Sequence, residues 1–295
     1  MRNWLVYAVI AAMAVCAPGR ASAQEQNLFE AWDPEADDNG PGSYTYPTNP
    51  AFRPFTGLFD ITRFRVSFDD ASVYFETTFR EMTNPWNAQE GFSHQLLNIY
   101  IDTAPNAGRS DTLREGACVT FDPRYAWDVN IRIMAWGGSR VFLASDDAKS
   151  AGRADAVIAE LLPDGRTIRA TVSREVVGEP KETWKYYVLS ASQDGYGPDN
   201  FRPVMERAGQ WVFGGGSDLY SNPNVIDILA PESGDYTQAR QLGSWNEAER
   251  RLAVLYPANV DPRGRTSFIL LGVALGVILL LAALVILLPR ARRES

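Results

Sequence analysis

Residues 64–79 read FRVSFDDASVYFETTF. Apolar side chains alternate with polar ones on both sides of Asp69-Asp70, first at Phe64, Val66 and Phe68, then at Val73, Phe75 and Phe79. Alternation with a period of two is typical of a strand with one buried face, and two such runs joined by a short polar turn predict a hairpin. The stretch therefore predicts antiparallel strands that cover a core.

The same alternation recurs along the chain. Further runs lie at 97–101, 127–133, 168–172, 184–188 and 252–256, and Pro163-Asp164-Gly165 is a strong turn signal. Short helices are predicted only near 148–151 and 237–241. Many strands without a βαβ rhythm or a blade repeat predict an all-β fold, an antiparallel β-sandwich over residues 24–262. We expect Trp127, Trp184 and Trp211 to fill its core.

The N-terminus has the order of parts of a secretory signal peptide. Arg2 is followed by an apolar stretch from Leu5 to Ala17 and by the small-residue triplet at 21–23. This pattern predicts cleavage after Ala23, so residues 1–23 are interpreted as a removed signal peptide. The body of the protein is then expected outside the cytoplasm.

The C-terminus predicts a membrane anchor. Residues 267–288 carry no charged side chain and are long enough to form a transmembrane helix, preceded by a linker at 263–266. A basic tail at 289–295 follows, which favours a cytoplasmic C-terminus. We therefore predict a single-pass type I protein of the cell membrane. Gly272 and Gly276 form a Gly-x-x-x-Gly spacing, on which we base the hypothesis of a homodimer.

Charge and composition argue against several functions. The chain carries a net charge of −8 at pH 7, and its predicted signal peptide and tail are basic, so the middle is more acidic still. Nucleic-acid binding, which needs a basic surface, is not expected.

Cys118 would be the only cysteine after cleavage, so no disulfide framework is expected. With one histidine, no Gly-x-Ser-x-Gly and no phosphate-binding loop, the sequence predicts no enzyme, although a pair of glycosidase carboxylates stays open.

Several segments outside the strands are more particular than generic turns. They are Asp33-Pro34, 37–47 (DDNGPGSYTYP), 84–87 (NPWN), 192–197 (SQDGYG), 201–204 (FRPV), 211–216 (WVFGGG) and 223–227 (PNVID). In this order they resemble the C-terminal module of glucodextranase, which is similar to DOMON-like and family 9 carbohydrate-binding β-sandwiches. The resemblance covers nearly all of residues 24–262.

The resemblance implies a noncatalytic module that binds polysaccharide, an α-glucan or an envelope glycan, or that attaches its host to the cell envelope. Three alternatives stay open at this point: a structural or protein-interaction domain, a glycoside hydrolase accessory, and a haem-binding DOMON domain. The last would use His94, the only histidine, as an axial ligand.

Sugar recognition combines an aromatic face with planar polar side chains that hydrogen-bond hydroxyl groups. Trp86 and Tyr196 lie in predicted loops, where a sandwich usually carries its binding residues. The candidate carbohydrate-binding residues are Trp86, Asn87, Gln95, Gln193, Asp194, Tyr196 and Arg202.

The loop at 33–42 is the candidate metal site. Asp33, Asp37, Asp38 and Asn39 gather there within a segment shaped by two prolines and two glycines. Ca²⁺ prefers such a density of oxygen ligands. We therefore expect a structural Ca²⁺, with an acidic loop capped by its own side chains as the alternative.

Overall fold

The computed structural model describes residues 24–105 and 107–260. The predicted signal peptide, linker, membrane helix and tail lie outside these residues, as does the Gly272/Gly276 spacing, and they stay predictions. Within the described ranges, no helix is long and apolar enough to span a membrane.

Strands dominate the described part of the chain. They are β1 (Gln26–Trp32), β2 (Ile61–Phe68), β3 (Ser72–Phe79), β4 (Gln95–Asp102), β5 (Val119–Phe121), β6 (Val129–Ile133), β7 (Arg140–Leu143), β8 (Val157–Leu161), β9 (Thr167–Ser173), β10 (Lys185–Ser192), β11 (Asp227–Ile228) and β12 (Ala253–Leu255). The α-helices are α1 (Arg174–Val177) and α2 (Gln238–Leu242), and 3-10 turns occupy Pro50–Phe52, Pro123–Tyr125 and Pro198–Asn200.

Two five-stranded antiparallel sheets form the sandwich. The first has the strand order β1-β2-β3-β9-β8, and the second has the order β11-β10-β4-β6-β7. A short parallel pair, β5 with β12, lies beside them. The antiparallel all-β sandwich predicted from the sequence is thus confirmed for the described residues.

The hairpin predicted at 64–79 is present as β2 and β3. Val66 pairs with Phe75 across it, and the side chain of Asp69 shapes the turn by accepting hydrogen bonds from the amides of Ala71 (2.9 Å) and Ser72 (2.8 Å). A short acidic side chain that satisfies the amides ahead of it is a stable turn former. Local chemistry alone therefore explains this part of the fold.

The main core lies between the sheets. Phe64 and Phe75 from the first sheet and Ile99 and Ile131 from the second are fully buried in it, and the predicted core residue Trp184 joins them. Burial of this much apolar surface is the main driving force for folding, especially without a disulfide.

The second sheet is also covered on its outer face. Tyr100 of β4 and Tyr187 of β10 point away from the main core and pack against Phe121 and Trp127, both buried in a second cluster. Every residue of β4 is buried as a result. The faces of this sheet are therefore occupied, and its ends are where a ligand can approach.

Two local predictions need correction. The late strand was expected to bury Leu252, Val254 and Tyr256, but β12 buries Ala253 and Leu255 instead. Parallel pairing with β5 selects that face, and a shift of one residue exchanges the two faces of a strand. Residues 148–151 form a turn rather than a helix, whereas α2 lies close to the helix predicted at 237–241.

The last described residues are fastened to the beginning of β10. The amide of Ala258 donates to the carbonyl of Tyr186 at 2.9 Å, and Nδ2 of Asn259 donates to the carbonyl of Trp184 at 2.7 Å. Oδ1 of Asn259 in turn accepts from the amide of Tyr186 at 3.2 Å. The described chain therefore ends next to the first residues of a central strand.

Candidate functional site

Three partly exposed tryptophans lie side by side at one end of the second sheet. Trp86 precedes β4, Trp136 follows β6, and Trp211 lies between β10 and β11; they are 40%, 53% and 42% exposed. The ring centroid of Trp86 is 6.4 Å from that of Trp136 and 6.2 Å from that of Trp211. We call these three residues the tryptophan surface. Clustered aromatic rings left in contact with water mark a binding surface.

A small turn holds Trp86 in place. The side-chain amide of Asn84 donates to the carbonyl of Ala88 and its oxygen accepts from the amide of Ala88, both at 2.8 Å. Asn87 adopts the left-handed conformation (φ 51°), which asparagine tolerates better than most residues. The tip of this turn therefore presents Trp86 outward in a defined position.

Glu90 holds the turn that carries Trp136. Its carboxylate accepts from the amides of Trp136 (3.0 Å) and Gly137 (2.7 Å). Beside this turn lies a cavity of about 490 Å³, lined by Asn87, Gln89, Glu90, Trp136 and Gly137. The tryptophan surface is thus bordered by a hollow that combines polar side chains with the indole of Trp136.

Trp211 lies at the tip of a hairpin-like loop, so the prediction that it fills the core is wrong. The amide of Gly209 donates to the carbonyl of Val212 at 3.0 Å, and the amide of Asn49 donates to the carbonyl of Gln210 at 3.1 Å. Backbone pairing on both sides of the tip fixes it against a neighbouring segment. The ring of Trp211 packs edge-to-face with buried Phe52 and remains partly exposed to solvent.

His94 lies directly beneath the tryptophan surface. Its ring is 4.7 Å from the rings of both Trp86 and Phe52, and Nε2 lies 2.9 Å from the carbonyl oxygen of Ala51. Because a carbonyl only accepts, Nε2 carries the proton and donates it. Burial lowers the pKa of His94 to about 4, so the ring is neutral at physiological pH. A buried ring engaged in this way does not fit the role of a haem ligand.

We expect His94 to make the fold sensitive to acid. Below its ordinary pKa of 6.5 the unfolded chain protonates this histidine, but the folded chain does so only near pH 4, so stability is lost as the pH falls through that window. Urea unfolding should show the free energy of wild type falling relative to that of His94→Gln by up to about 3 kcal/mol between pH 7 and pH 4. A difference that does not change with pH would contradict this assignment.

Three of the predicted polar residues adjoin His94. The amide of Gln193 donates to the carbonyl of His94 at 2.9 Å, and the guanidinium of Arg202 donates to the carbonyl of Gln193 at 2.9 Å and lies 3.7 Å from Asp194. Burial lowers the pKa of Arg202. The side-chain oxygen Oε1 of Gln193 is buried without a hydrogen-bond partner among the described residues. These residues are therefore linked to the tryptophan surface only through His94, and Arg202 uses part of its hydrogen-bond donors on Ser192 and Gln193.

The other three candidate carbohydrate-binding residues lie in different environments. Asn87 is exposed and lines the hollow beside Trp136. Gln95 is fully buried and its amide donates to the carbonyl of Leu58 at 2.6 Å, so the structure gives it an internal position rather than a surface one. Tyr196 is fully exposed in its loop, and within the described residues no ring contact joins it to the tryptophan surface.

A buried ion-pair network anchors the loop that carries Tyr196. The carboxylate of Asp199 accepts from Arg132, in the middle of β6, and from Arg114 at 3.1 Å. Both guanidinium groups also lie over the ring of Phe142. A single carboxylate therefore pairs with two arginines, of which Arg132 is buried and Arg114 is partly buried.

The structure brings two of the four predicted metal ligands together. Asp33 and Asp37 approach Asp227, and one carboxylate oxygen of each lies within 4.8 Å of the others. We call these three residues the aspartate cluster. Asp38 instead accepts from the hydroxyl of Tyr46 and from an amide in the 57–58 turn, and Asn39 acts through its carbonyl, which accepts from the amides of residues 42 and 44.

A protein-family model described as the C-terminal binding-module, SLH-like, of glucodextranase matches residues 28–257. The chain belongs to this family. Its segments at 33–47, 84–87 and 192–227, from which the resemblance was drawn, all lie within the match. As a member of the family it is a binding module.

Among solved structures, the module is similar to a carbohydrate binding module family 9 (CBM9) from Caldicellulosiruptor kristjanssonii in complex with cellotriose. The sequences are 13% identical, the alignment covers 64% of this chain and 91% of that chain, and the TM-score is 0.26. Comparison with curated proteins gave no match.

Sequence reasoning missed three residues of these two sites. Trp136 precedes Gly137-Gly138, and Trp211 lies two residues after Gly209 and three residues before the run of glycines at 214–216. The turn signals that singled out Trp86 apply to both. Asp227 had no such signal, because it lies far along the chain from Asp37 and only the fold brings them together.

Proposed function

We propose that this binding module recognises a polysaccharide at the tryptophan surface. The observation that carries the proposal is the contact of three exposed indole rings, 6.2 and 6.4 Å apart, beside a hollow of about 490 Å³. The apolar face of a pyranose ring packs well against an indole, and a concave polar border supplies hydrogen bonds to hydroxyl groups. A flat apolar patch, which would favour a protein partner, is not what these rings form.

The orientation of the rings favours a curved chain. The plane of Trp86 is tilted by 44° from that of Trp136 and by 38° from that of Trp211. Three rings tilted in this way do not share one flat plane, which suits a polysaccharide that bends along its length better than a flat ribbon. Within the classes predicted from the sequence, an α-glucan therefore fits this surface best.

Polar groups at the border supply specificity. Asn87 and Gln89 are exposed beside Trp136 and can present their side-chain amides to hydroxyl groups. Gln193 is joined to His94 through its main-chain amide, but its unpaired side-chain oxygen is buried and is therefore not among these contacts. Weak, multivalent binding of this kind gives a Kd in the range of roughly micromolar to millimolar.

Binding without bond cleavage is part of the proposal. Glycoside hydrolysis needs two carboxyl groups on either side of the bond. The carboxylate that borders the hollow is that of Glu90, and both of its oxygens accept hydrogen bonds from main-chain amides of the Trp136 turn. Its geometry supports a role in holding the turn.

We propose that the module acts at the cell surface. The signal-peptide pattern at 1–23 and the uncharged stretch at 267–288 support a type I membrane protein with residues 24–262 outside. In that position the module would retain an α-glucan or an envelope glycan near the membrane.

Affinity electrophoresis of the purified full-length protein tests the sugar-binding role. We expect retardation in gels that contain soluble starch or dextran, and weaker retardation with carboxymethyl cellulose, whose chain is a flat ribbon. Intrinsic fluorescence should change in the same titrations because the proposed contacts are tryptophans. If no α-glucan or envelope polysaccharide alters either signal, the proposal is wrong.

A further inference from the structure

The aspartate cluster joins the two sheets. Asp33 directly follows β1 of the first sheet, Asp37 lies four residues further on, and Asp227 opens β11 at the edge of the second sheet. One oxygen from each carboxylate lies within 4.8 Å of the other two. Three carboxyl groups from two sheets therefore converge on one small volume.

The carboxylates are oriented by main-chain amides on one side only. Oδ1 of Asp33 accepts from the amide of Ala230 at 2.7 Å, and Oδ2 of Asp227 accepts from the amide of Ile61 at 2.6 Å. The second oxygen of each has no hydrogen-bond partner in the described part of the chain, although Asp33 is only 8% exposed and Asp227 is not exposed at all. Buried polar atoms normally have a partner, so these oxygens indicate a missing one.

Two neighbouring carboxylates extend the pattern. Oδ1 of Asp37 and Oδ1 of Asp60 are likewise buried without a partner among the described residues. Asp60 is engaged through its other oxygen, which accepts from the amide of Ala36 at 2.7 Å and lies 3.2 Å from a guanidinium nitrogen of Arg80. Arg80 compensates the charge of Asp60. Among the described residues no ion pair of this kind is seen for Asp33, Asp37 or Asp227, so a bound cation would have to compensate their charge.

Electrostatics agree with this geometry. Burial and mutual repulsion raise the pKa of Asp33 and of Asp227 well above the ordinary value, and burial raises the pKa of Asp37 to about 6. Burial likewise raises the pKa of Asp60 to about 7.

We propose that Asp33, Asp37 and Asp227 bind a Ca²⁺ ion that links the two sheets. Ca²⁺ takes oxygen ligands at about 2.3–2.6 Å, so oxygens on opposite sides of one ion are about 5 Å apart, and the 4.8 Å limit of the cluster fits a single ion. The donors are all carboxylate oxygens, which suit a hard cation rather than zinc. The unpartnered Oδ1 of Asp60, whose charge acts on Asp33 and Asp227, is an additional candidate ligand. None of these residues belongs to the tryptophan surface.

Thermal unfolding of the purified full-length protein tests the site. After treatment with EDTA, millimolar CaCl₂ should raise Tm by about 5 to 10 °C, as expected for a ligand near 100 times its Kd in a domain of this size. Metal analysis after desalting should find one Ca²⁺ per chain. The proposal is overturned if Ca²⁺ gives no shift, or if MgCl₂ gives an equal one.

Matched variants test whether the Ca²⁺-dependent rise in Tm comes from the aspartate cluster. Asp227→Asn keeps an oxygen for the amide of Ile61 but removes one charge, so its Tm in EDTA should equal or exceed that of wild type while the Ca²⁺ shift is lost. Asp37→Asn, at a half-buried position, should lose the shift in the same way. Glu35→Gln, exposed in the same loop and outside the cluster, should keep it. A full Ca²⁺ shift in both asparagine variants would place the ion elsewhere and refute the proposal.

Discussion

Trp86→Ala is expected to raise the Kd for an α-glucan at least about 30-fold, a loss of roughly 2 kcal/mol typical of a central aromatic anchor. Trp86 is the middle ring of the tryptophan surface and contacts both Trp136 and Trp211. Its removal takes away one stacking face and leaves the other two rings without their common neighbour. Fluorescence titration and affinity electrophoresis measure the loss.

Trp32→Ala is the matched control for this prediction. Trp32 is 71% exposed at the end of β1, where Arg63 lies over its ring, and it has no ring contact with the tryptophan surface among the described residues. It should bind the glucan like wild type. Equal losses in the two variants, or none in Trp86→Ala, would show that the binding surface lies elsewhere.

Asp199→Asn is expected to destabilise the fold by about 3 to 5 kcal/mol, because removal of one partner of a buried ion pair leaves an uncompensated charge. Asp199 accepts from Arg132, whose side chain is almost entirely buried, and from Arg114. Its backbone is left-handed (φ 45°), a conformation that asparagine also adopts, so the substitution changes charge while preserving the turn. Urea unfolding at neutral pH measures the effect.

Glu249→Gln provides the comparison for Asp199→Asn. Glu249 pairs with Arg251 at 3.0 Å, and both side chains are about half exposed. Pairs of this kind contribute less than about 1 kcal/mol. Similar losses in the two variants would mean that the Asp199 network is as well solvated as the surface pair.

Local sequence signals predicted the elements that depend on neighbouring residues. The β2–β3 hairpin follows from alternation around Asp69-Asp70, and the turn before β9 follows from Pro163-Asp164-Gly165. The sequence-based predictions failed where the local structure depends on contacts with segments distant in the sequence. The face of β12 is chosen by its parallel partner β5, and nothing near residue 253 in the sequence identifies that partner.

The residues of the candidate sites that could be predicted from the sequence are those that lie in loops with a clear turn or composition signal. Trp86 was identified from its turn, and Asp33 and Asp37 from their density of acidic groups. The assignment of Trp211 to the core failed because an indole is equally compatible with a core and with an exposed tip, and only the backbone pairing at Gly209 and Gln210 decides between them. Gln95 looks like a surface amide in the sequence but serves a buried carbonyl.

Ala258 and Asn259, among the last described residues, are hydrogen-bonded to the beginning of β10. His94, whose ring contacts Trp86, pairs with Gln193 at the opposite end of that strand, eight residues or roughly 25 Å away. The membrane anchor predicted at 267–288 would therefore follow the end of the body opposite to the tryptophan surface. A glycan bound at that surface would then lie away from the lipid headgroups.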